Sequence, residues 1–492
     1  MPKFVLICWF ACGLIRHPVA CAGELEDSID KIRAAHGISA TAYFIVSPNT
    51  VETLQSLGTM SWTTDVRFDV DHLVRIGSIT KTFSALGALV LAERGSLSLN
   101  APVSQVLVHP PFDNPWADSQ VVRIAHLIEH TAGLRDLSPK EFSVNHALPL
   151  AAALRIDPAS RRLAWAPGLH SSYSNSGAGI LSGIIEKVTG RPFETFIADE
   201  IFRPLGMSSA GFTVDSAARA HLITGHDRDG RTPIAYWHTL YRAFGGINVT
   251  PRDMIPFVQL FLNRGMHAGT QLLSMAAIDR MQTPATTLAA MTGLDYGYGL
   301  GIYQFQHRGI SFYGHGGDAD GYLAFFAYAP TLDRGYFVVI NAFNSDALRA
   351  MRRIIEDHLV GDIEPQMPSI ARLTDRQRTI LSGTYMPVTQ RFTDSKDGEN
   401  IDVVVDNDRL YMRVGTAQRL ALLPVSDWHF RRRTQSVATI AFIPCGERLY
   451  LQGAFGNYAK DISGARLAPC PPAVTEAQAV TTQRTPVPAS VQ

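Results

Sequence analysis

The sequence predicts a mixed α/β (α+β) fold: an antiparallel sheet flanked by helices, followed by a small C-terminal β-domain. Three observations carry this. Strand-like runs stand at both ends of one long region, Thr41–Val46 first, then Tyr322–Tyr328 and Tyr336–Ile340 joined by the turn-forming Pro330-Thr331-Leu332-Asp333-Arg334-Gly335. Helical apolar spacing fills the region between, which suits a sheet covered by helices. Beyond Gly361 the character changes to short β-rich runs, Ile401–Val405, Leu410–Val414 and Thr439–Ile443, with Asp406-Asn407-Asp408 as a turn between the first two.

The elements follow in order. Lys3 precedes an apolar run from Phe4 to Ile15, and Ala20-Cys21-Ala22 offers small residues for cleavage, so residues 1–22 read as an export signal. The run is too short to span a bilayer, and a periplasmic or secreted protein is expected. A lipid anchor at Cys21, giving a membrane-anchored lipoprotein, is the alternative. Cleavage leaves Cys445 and Cys470 of the five cysteines, either as a disulfide or as two buried thiols. A mostly apolar helix runs from Thr82 to Gly95. Ile180, Leu181, Ile184, Ile185 and Val188 mark a second, ending near Gly190, and Leu348, Met351, Ile355 and Leu359 stripe a third over Ser345–Leu359. The chain thus divides into a leader (1–22), a main domain (23–362), a β-rich domain (363–470) opened by the linker Ile363–Pro368, and a polar, proline-rich tail (471–492) expected to be disordered.

Composition excludes several classes. Lys+Arg and Asp+Glu both total 44 in 492 residues, so no basic excess points to nucleic acid. H-E-x-x-H, P-loop and G-x-S-x-G patterns are missing from the sequence, so no metal, nucleotide or other cofactor is expected. Nothing in the sequence sets an oligomeric state.

Three short motifs carry chemistry. In Ser78-Ile79-Thr80-Lys81 the lysine lies one helical turn from the serine, so its amine can reach the hydroxyl. Burial lowers a lysine pKa toward that of a usable base, and a helix N-terminus suits a developing oxyanion. In Tyr173-Ser174-Asn175, Tyr173 can carry a proton and Asn175 can both donate to and accept from a peptide bond. The third, Gly314-His315-Gly316-Gly317, follows the strand-like Ile310–Tyr313, and its glycines let a substrate backbone approach. Singly, each has a plainer reading: a capped helix start, a surface turn, a hairpin bend.

Together, in this order and spacing, they resemble the serine β-lactamase and penicillin-binding protein superfamily, in its class C-like branch with Tyr-x-Asn second. His130-Thr131-Ala132-Gly133-Leu134, Phe202-Arg203-Pro204-Leu205-Gly206-Met207, Gly245-Gly246-Ile247 and Tyr298-Gly299-Leu300-Gly301 extend the resemblance over roughly residues 25–360. It implies a mainly helical insert, with the active site between insert and sheet domain. It further implies Ser78 as nucleophile, Lys81 as base and Tyr173 as proton carrier. Asn175, His315, Gly316, Gly317 and Asp318 then bind substrate, with the N–H groups of Ser78 and Asp318 as the oxyanion hole. Class C β-lactamases have lysine where this chain has His315. A protonated His315 would hold a substrate carboxylate and a neutral one would relay a proton.

The implied function is a serine hydrolase acting through an acyl-enzyme on amide or peptide bonds, with D-amino-acid peptides first. An esterase or a β-lactamase of the same superfamily follows, then a non-catalytic binder of cell-wall fragments. The β-rich domain would shape the active-site entrance, bind a partner or simply stabilise.

Overall fold

A computed structural model describes residues 22–392, 398–462 and 470. Residues 1–21 of the expected leader, with Cys8, Cys12 and Cys21, and the tail 471–492 lie outside the described residues. Helix α1 (Ala22–Ala35) leads into β1 (Ala40–Ser47) and β2 (Thr50–Gly58). Residues 59–302 form the insert, whose main helices are α2 (Thr80–Glu93), α3 (Asn175–Thr189) and α4 (Met254–Leu262). Then come β3 (Tyr303–His307), β4 (Ile310–Ala319), β5 (Tyr322–Ala329), β6 (Arg334–Ile340) and helix α5 (Ser345–Val360). These strands make one antiparallel sheet in the order β3-β4-β5-β6-β1-β2, so the two chain ends meet at the β6–β1 pair. Tyr43 faces Val338 there and Phe44 faces Phe337.

β1 is buried on both faces, and this explains its unbroken apolar run. Tyr43 and Ile45 join Phe325, Val338, Met351 and Ile355 under α1 and α5. Phe44 and Val46 point the other way, toward the insert, as alternate strand residues must. On that side Phe83 of α2 stacks on Phe257 at 4.2 Å, and Phe257 meets Phe326 of β5 edge-on at 4.9 Å. α2 is buried on all sides from Thr80 to Leu91, so its sequence is apolar all round apart from residues with assigned polar partners. Among those, Thr82 donates to the Gly301 carbonyl at 2.6 Å, and Ser84 to Ala243 O at 2.8 Å.

The C-terminal β-domain is a closed eight-stranded antiparallel barrel. Its strands are β7 (Gly383–Pro387), β8 (Ile401–Asp406), β9 (Arg409–Val414), β10 (Leu420–Pro424), β11 (His429–Arg431), β12 (Ile440–Cys445), β13 (Arg448–Gly453) and β14 (Gly456–Asp461), with β7 pairing to β14 to close it. Tyr385, Ile401, Met412, Phe430, Phe442 and Leu451 fill its interior. Cys445 and Cys470 are joined in a disulfide. Among the described residues no helix is long and apolar enough to cross a membrane.

Barrel and main domain meet through polar contacts on the chain approaching Tyr173. Gln452 on β13 donates from Nε2 to Leu169 O at 2.9 Å and to His170 Nδ1 at 2.8 Å, and its Oε1 accepts from Ala289 N at 2.9 Å. Asn457 on β14 donates to Ser171 O at 2.6 Å.

Candidate active site

Ser78 sits in a 3-10 turn, Gly77–Ile79, that runs directly into α2. Gly77 has φ +49°, a left-handed conformation that a side chain would strain, and a Cβ there would lie 2.5 Å from Asp318 N. On the facing strand, a Cβ on Gly317 would lie 1.8 Å from Ile76 O. The two backbones therefore touch, and this contact brings the Ser78 turn against the end of β4. β4 pairs with β5 through Ala319, whereas its pairing with β3 ends at Gly314. His315, Gly316, Gly317 and Asp318 thus lie beyond the last β3 partner, on a strand edge and not in a hairpin bend.

Lys81, in the first turn of α2, places Nζ 3.1 Å from Ser78 Oγ and donates to the Phe244 carbonyl at 2.9 Å. Its side chain is almost wholly buried, and desolvation drives its pKa well below that of an ordinary lysine; Asp136 opposes this, Arg391 reinforces it and Asp318 opposes it weakly. An uncharged amine that spends one N–H on Phe244 O keeps a lone pair able to accept the Ser78 proton.

Tyr173 lies within hydrogen-bonding reach of Ser78, and burial raises its phenol pKa. Its ring centre is 4.7 Å from Lys81 Nζ and 4.2 Å from the His130 ring. Tyr173 belongs to the extended lead-in, but Asn175 already opens α3, with Ser174 as the extended N-cap. The helix begins five residues before Ile180, the first position of the apolar spacing, and Asn175 N at its start donates to Asp136 Oδ1 at 2.8 Å. Asn175 Nδ2 reaches Asp136 Oδ2 at 3.2 Å, while its Oδ1 is buried with no partner among the described residues.

His315 Nδ1 bonds the Gly316 carbonyl, which can only accept, so Nδ1 carries the proton. Nε2 then accepts from the Tyr298 hydroxyl at 2.8 Å. Burial above all holds the His315 pKa down to about 3, so the ring is neutral at physiological pH. Of the two states left open by sequence, the neutral one is found. Asp318 is the reverse case: burial and then Asp320 push its carboxyl up to about 6.

The structure therefore brings Ser78, Lys81, Tyr173, Asn175 and residues 315–318 into one site. It adds five partners that sequence reasoning assigned no role. His130 accepts from Ser174 N at 3.1 Å and packs under Tyr173. Asp136 braces Asn175, Phe244 O orients Lys81, and Tyr298 occupies His315. Arg391, 255 residues from Asp136 along the chain, pairs with it at 2.8 Å. His130 and Tyr298 stand inside resemblance blocks, a usable signal; Asp136 and Arg391 had none. Among the described residues no three or more His, Cys, Asp or Glu side chains are grouped to hold a metal ion.

Sheet, insert and a serine beside a buried lysine define a serine hydrolase. The Beta-lactamase family profile matches residues 25–359, and the chain belongs to that family. It is 25% identical to the D-alanyl-D-alanine-carboxypeptidase/endopeptidase AmpH of Escherichia coli (strain K12), over 72% of this chain and 93% of the relative. It is 34% identical to esterase EstB of Burkholderia gladioli, over 32% of this chain and 42% of that one. The octameric penicillin-binding protein homologue from Pyrococcus abyssi shares the fold, with a TM-score of 0.56 and 23% identity across 89% of this chain and 99% of its own.

Proposed function

We propose that this hydrolase works through an acyl-enzyme on Ser78 and cleaves amide or peptide bonds, with D-amino-acid peptides as the first substrate class. The observation that carries the reading is the 3.1 Å approach of a buried Lys81, whose pKa desolvation drives well below that of an ordinary lysine, to Ser78. Lys81 takes the Ser78 proton as Oγ attacks the carbonyl, and Tyr173 passes a proton to the leaving group. The N–H groups of Ser78 and Asp318 receive the oxyanion, where losing one donor typically costs about a hundredfold or more in rate. Water then releases the acyl group. Asn175 Oδ1, buried without a partner among the described residues, is the acceptor for a substrate amide N–H. The comparison with AmpH supports the peptide reading, and the Cys445–Cys470 disulfide supports an exported protein.

Esterase activity is the second reading. One observation favours it: His315 is neutral and already engaged by Tyr298, so the third motif offers no cation for a peptide's terminal carboxylate. Hydrolysis of a D-Ala-D-Ala peptide, its L,L isomer and a p-nitrophenyl ester separates the two. Preference for the D,D peptide supports the first reading; turnover of the ester with neither peptide cleaved rejects it in favour of the second.

A further inference from the structure

The connection between barrel strands β7 and β8 carries Arg391 into the active site of the other domain. Its Nε and Nη2 donate to Asp136 Oδ2 at 2.9 and 2.8 Å, and its own carbonyl accepts from Asp136 N at 2.7 Å. Its guanidinium carbon stands 4.7 Å from the Tyr173 ring centre. Asp136 is wholly buried and is also the anchor of Asn175, through N and Nδ2. One arginine from the barrel thus touches the phenol of the second motif and the carboxylate that holds its asparagine.

We propose that Arg391 is a positioning residue through which the C-terminal barrel completes the active site, offsetting the Asp136 charge beside Lys81 so that the lysine stays an uncharged base. This rests on the reading of Lys81 as base given above. The groups facing Lys81 come from every neighbouring element: Ser78 from its own turn, Tyr173 from the α3 lead-in, His130 and Asp136 from the segment before it, His315 and Asp318 from β4, and Arg391 from the barrel. Both histidines are held neutral by burial. Asp136 and Arg391 are the two largest charge influences on Lys81, and they oppose one another. Without Arg391, the Asp136 carboxylate, still bonded to the N–H groups of Leu137 and Asn175, acts on Lys81 unopposed and favours its ammonium form.

The test is the pH dependence of fluorophosphonate labelling of Ser78, which needs no natural substrate, in full-length wild type, Arg391→Gln, Asp136→Asn and the double variant. The acid limb, where Lys81 gains its proton, is expected to move up by about one pH unit in Arg391→Gln and down in Asp136→Asn, returning toward wild type in the double variant. A purely structural arginine would lower the melting temperature and the labelling amplitude with no movement of the limb. A folded Arg391→Gln whose limb coincides with wild type overturns the proposal. Should Arg391→Gln not fold, the double variant compared with Asp136→Asn carries the test: loss of the arginine from the Asp136→Asn background must raise the limb, and coincident limbs overturn the proposal equally. If wild type itself does not label, the Lys81 reading fails first, and the two failures are distinguishable.

Discussion

Lys81 and Phe244, 163 residues apart, are joined by a 2.9 Å hydrogen bond from the amine to the backbone carbonyl. The bond takes one amine proton and aims the rest of the group at Ser78, so Lys81 is oriented as well as desolvated. Replacing Lys81 by Met removes the base, and labelling of Ser78 by a fluorophosphonate is expected to slow by roughly 10²–10⁴-fold. Lys81→Arg is expected to be no better, because a guanidinium keeps its charge in the same pocket. Labelling rates measured at pH 7.5 check both.

The contact between Gly317 and Ile76 is backbone to backbone, and neither side can yield by a rotamer change. Gly317→Ala is expected to cost about 3 kcal/mol of stability and to displace Asp318 N from Ser78. Urea denaturation measures the first, and at least a hundredfold slower labelling of the folded variant reports the second.

Acid should loosen the barrel from the main domain. His170 accepts from Gln452, and burial lowers its pKa to about 4. A folded pKa below the unfolded value of about 6.5 means that stability is fully present above pH 6.5 and is lost as pH falls toward 4. For His170 the loss is on the order of 3 kcal/mol at pH 4, at 1.36 kcal/mol per pKa unit. His126, lowered to about 4 by the same burial, adds a similar amount. Melting temperature against pH checks this: His170→Gln should flatten the decline between pH 6.5 and 4.

The Cys445–Cys470 bridge closes a 25-residue separation onto the last strands of the barrel. Loop-closure entropy for that length amounts to about 3.5 kcal/mol. Reduction, or Cys445→Ser, is expected to lower barrel stability by about that much without changing Ser78 labelling, as read by urea denaturation with and without reductant.

Much of this was legible in the sequence, for identifiable reasons. β1, β5, β6 and α5 announced themselves because a strand buried on both faces is apolar throughout and an amphipathic helix is striped. The ends of α2 and α3 are set by Gly95 and Gly190, which adopt positive φ. The barrel was visible only as scattered β-rich runs, since strands such as His429–Arg431 are too short to show alternation. β2 was missed because its side chains are exposed or half-buried, without an apolar face strong enough to read. In the site, the residues that react sit within a few positions of one another in each motif. Those that tune them do not: Asp136 acts through Asn175 and Arg391 through Asp136, contacts that only the fold brings together. The neutrality of His315 was equally hidden, because it depends on burial, which spacing does not encode.

The central claim is that Ser78 is a nucleophile activated by Lys81. Intact mass of the full chain after exposure to a fluorophosphonate, compared with Ser78→Ala shown to be folded by circular dichroism, tests it most directly. One adduct per chain on wild type and none on Ser78→Ala is the predicted result. Equal labelling of both proteins, or no adduct on folded wild type, would contradict it.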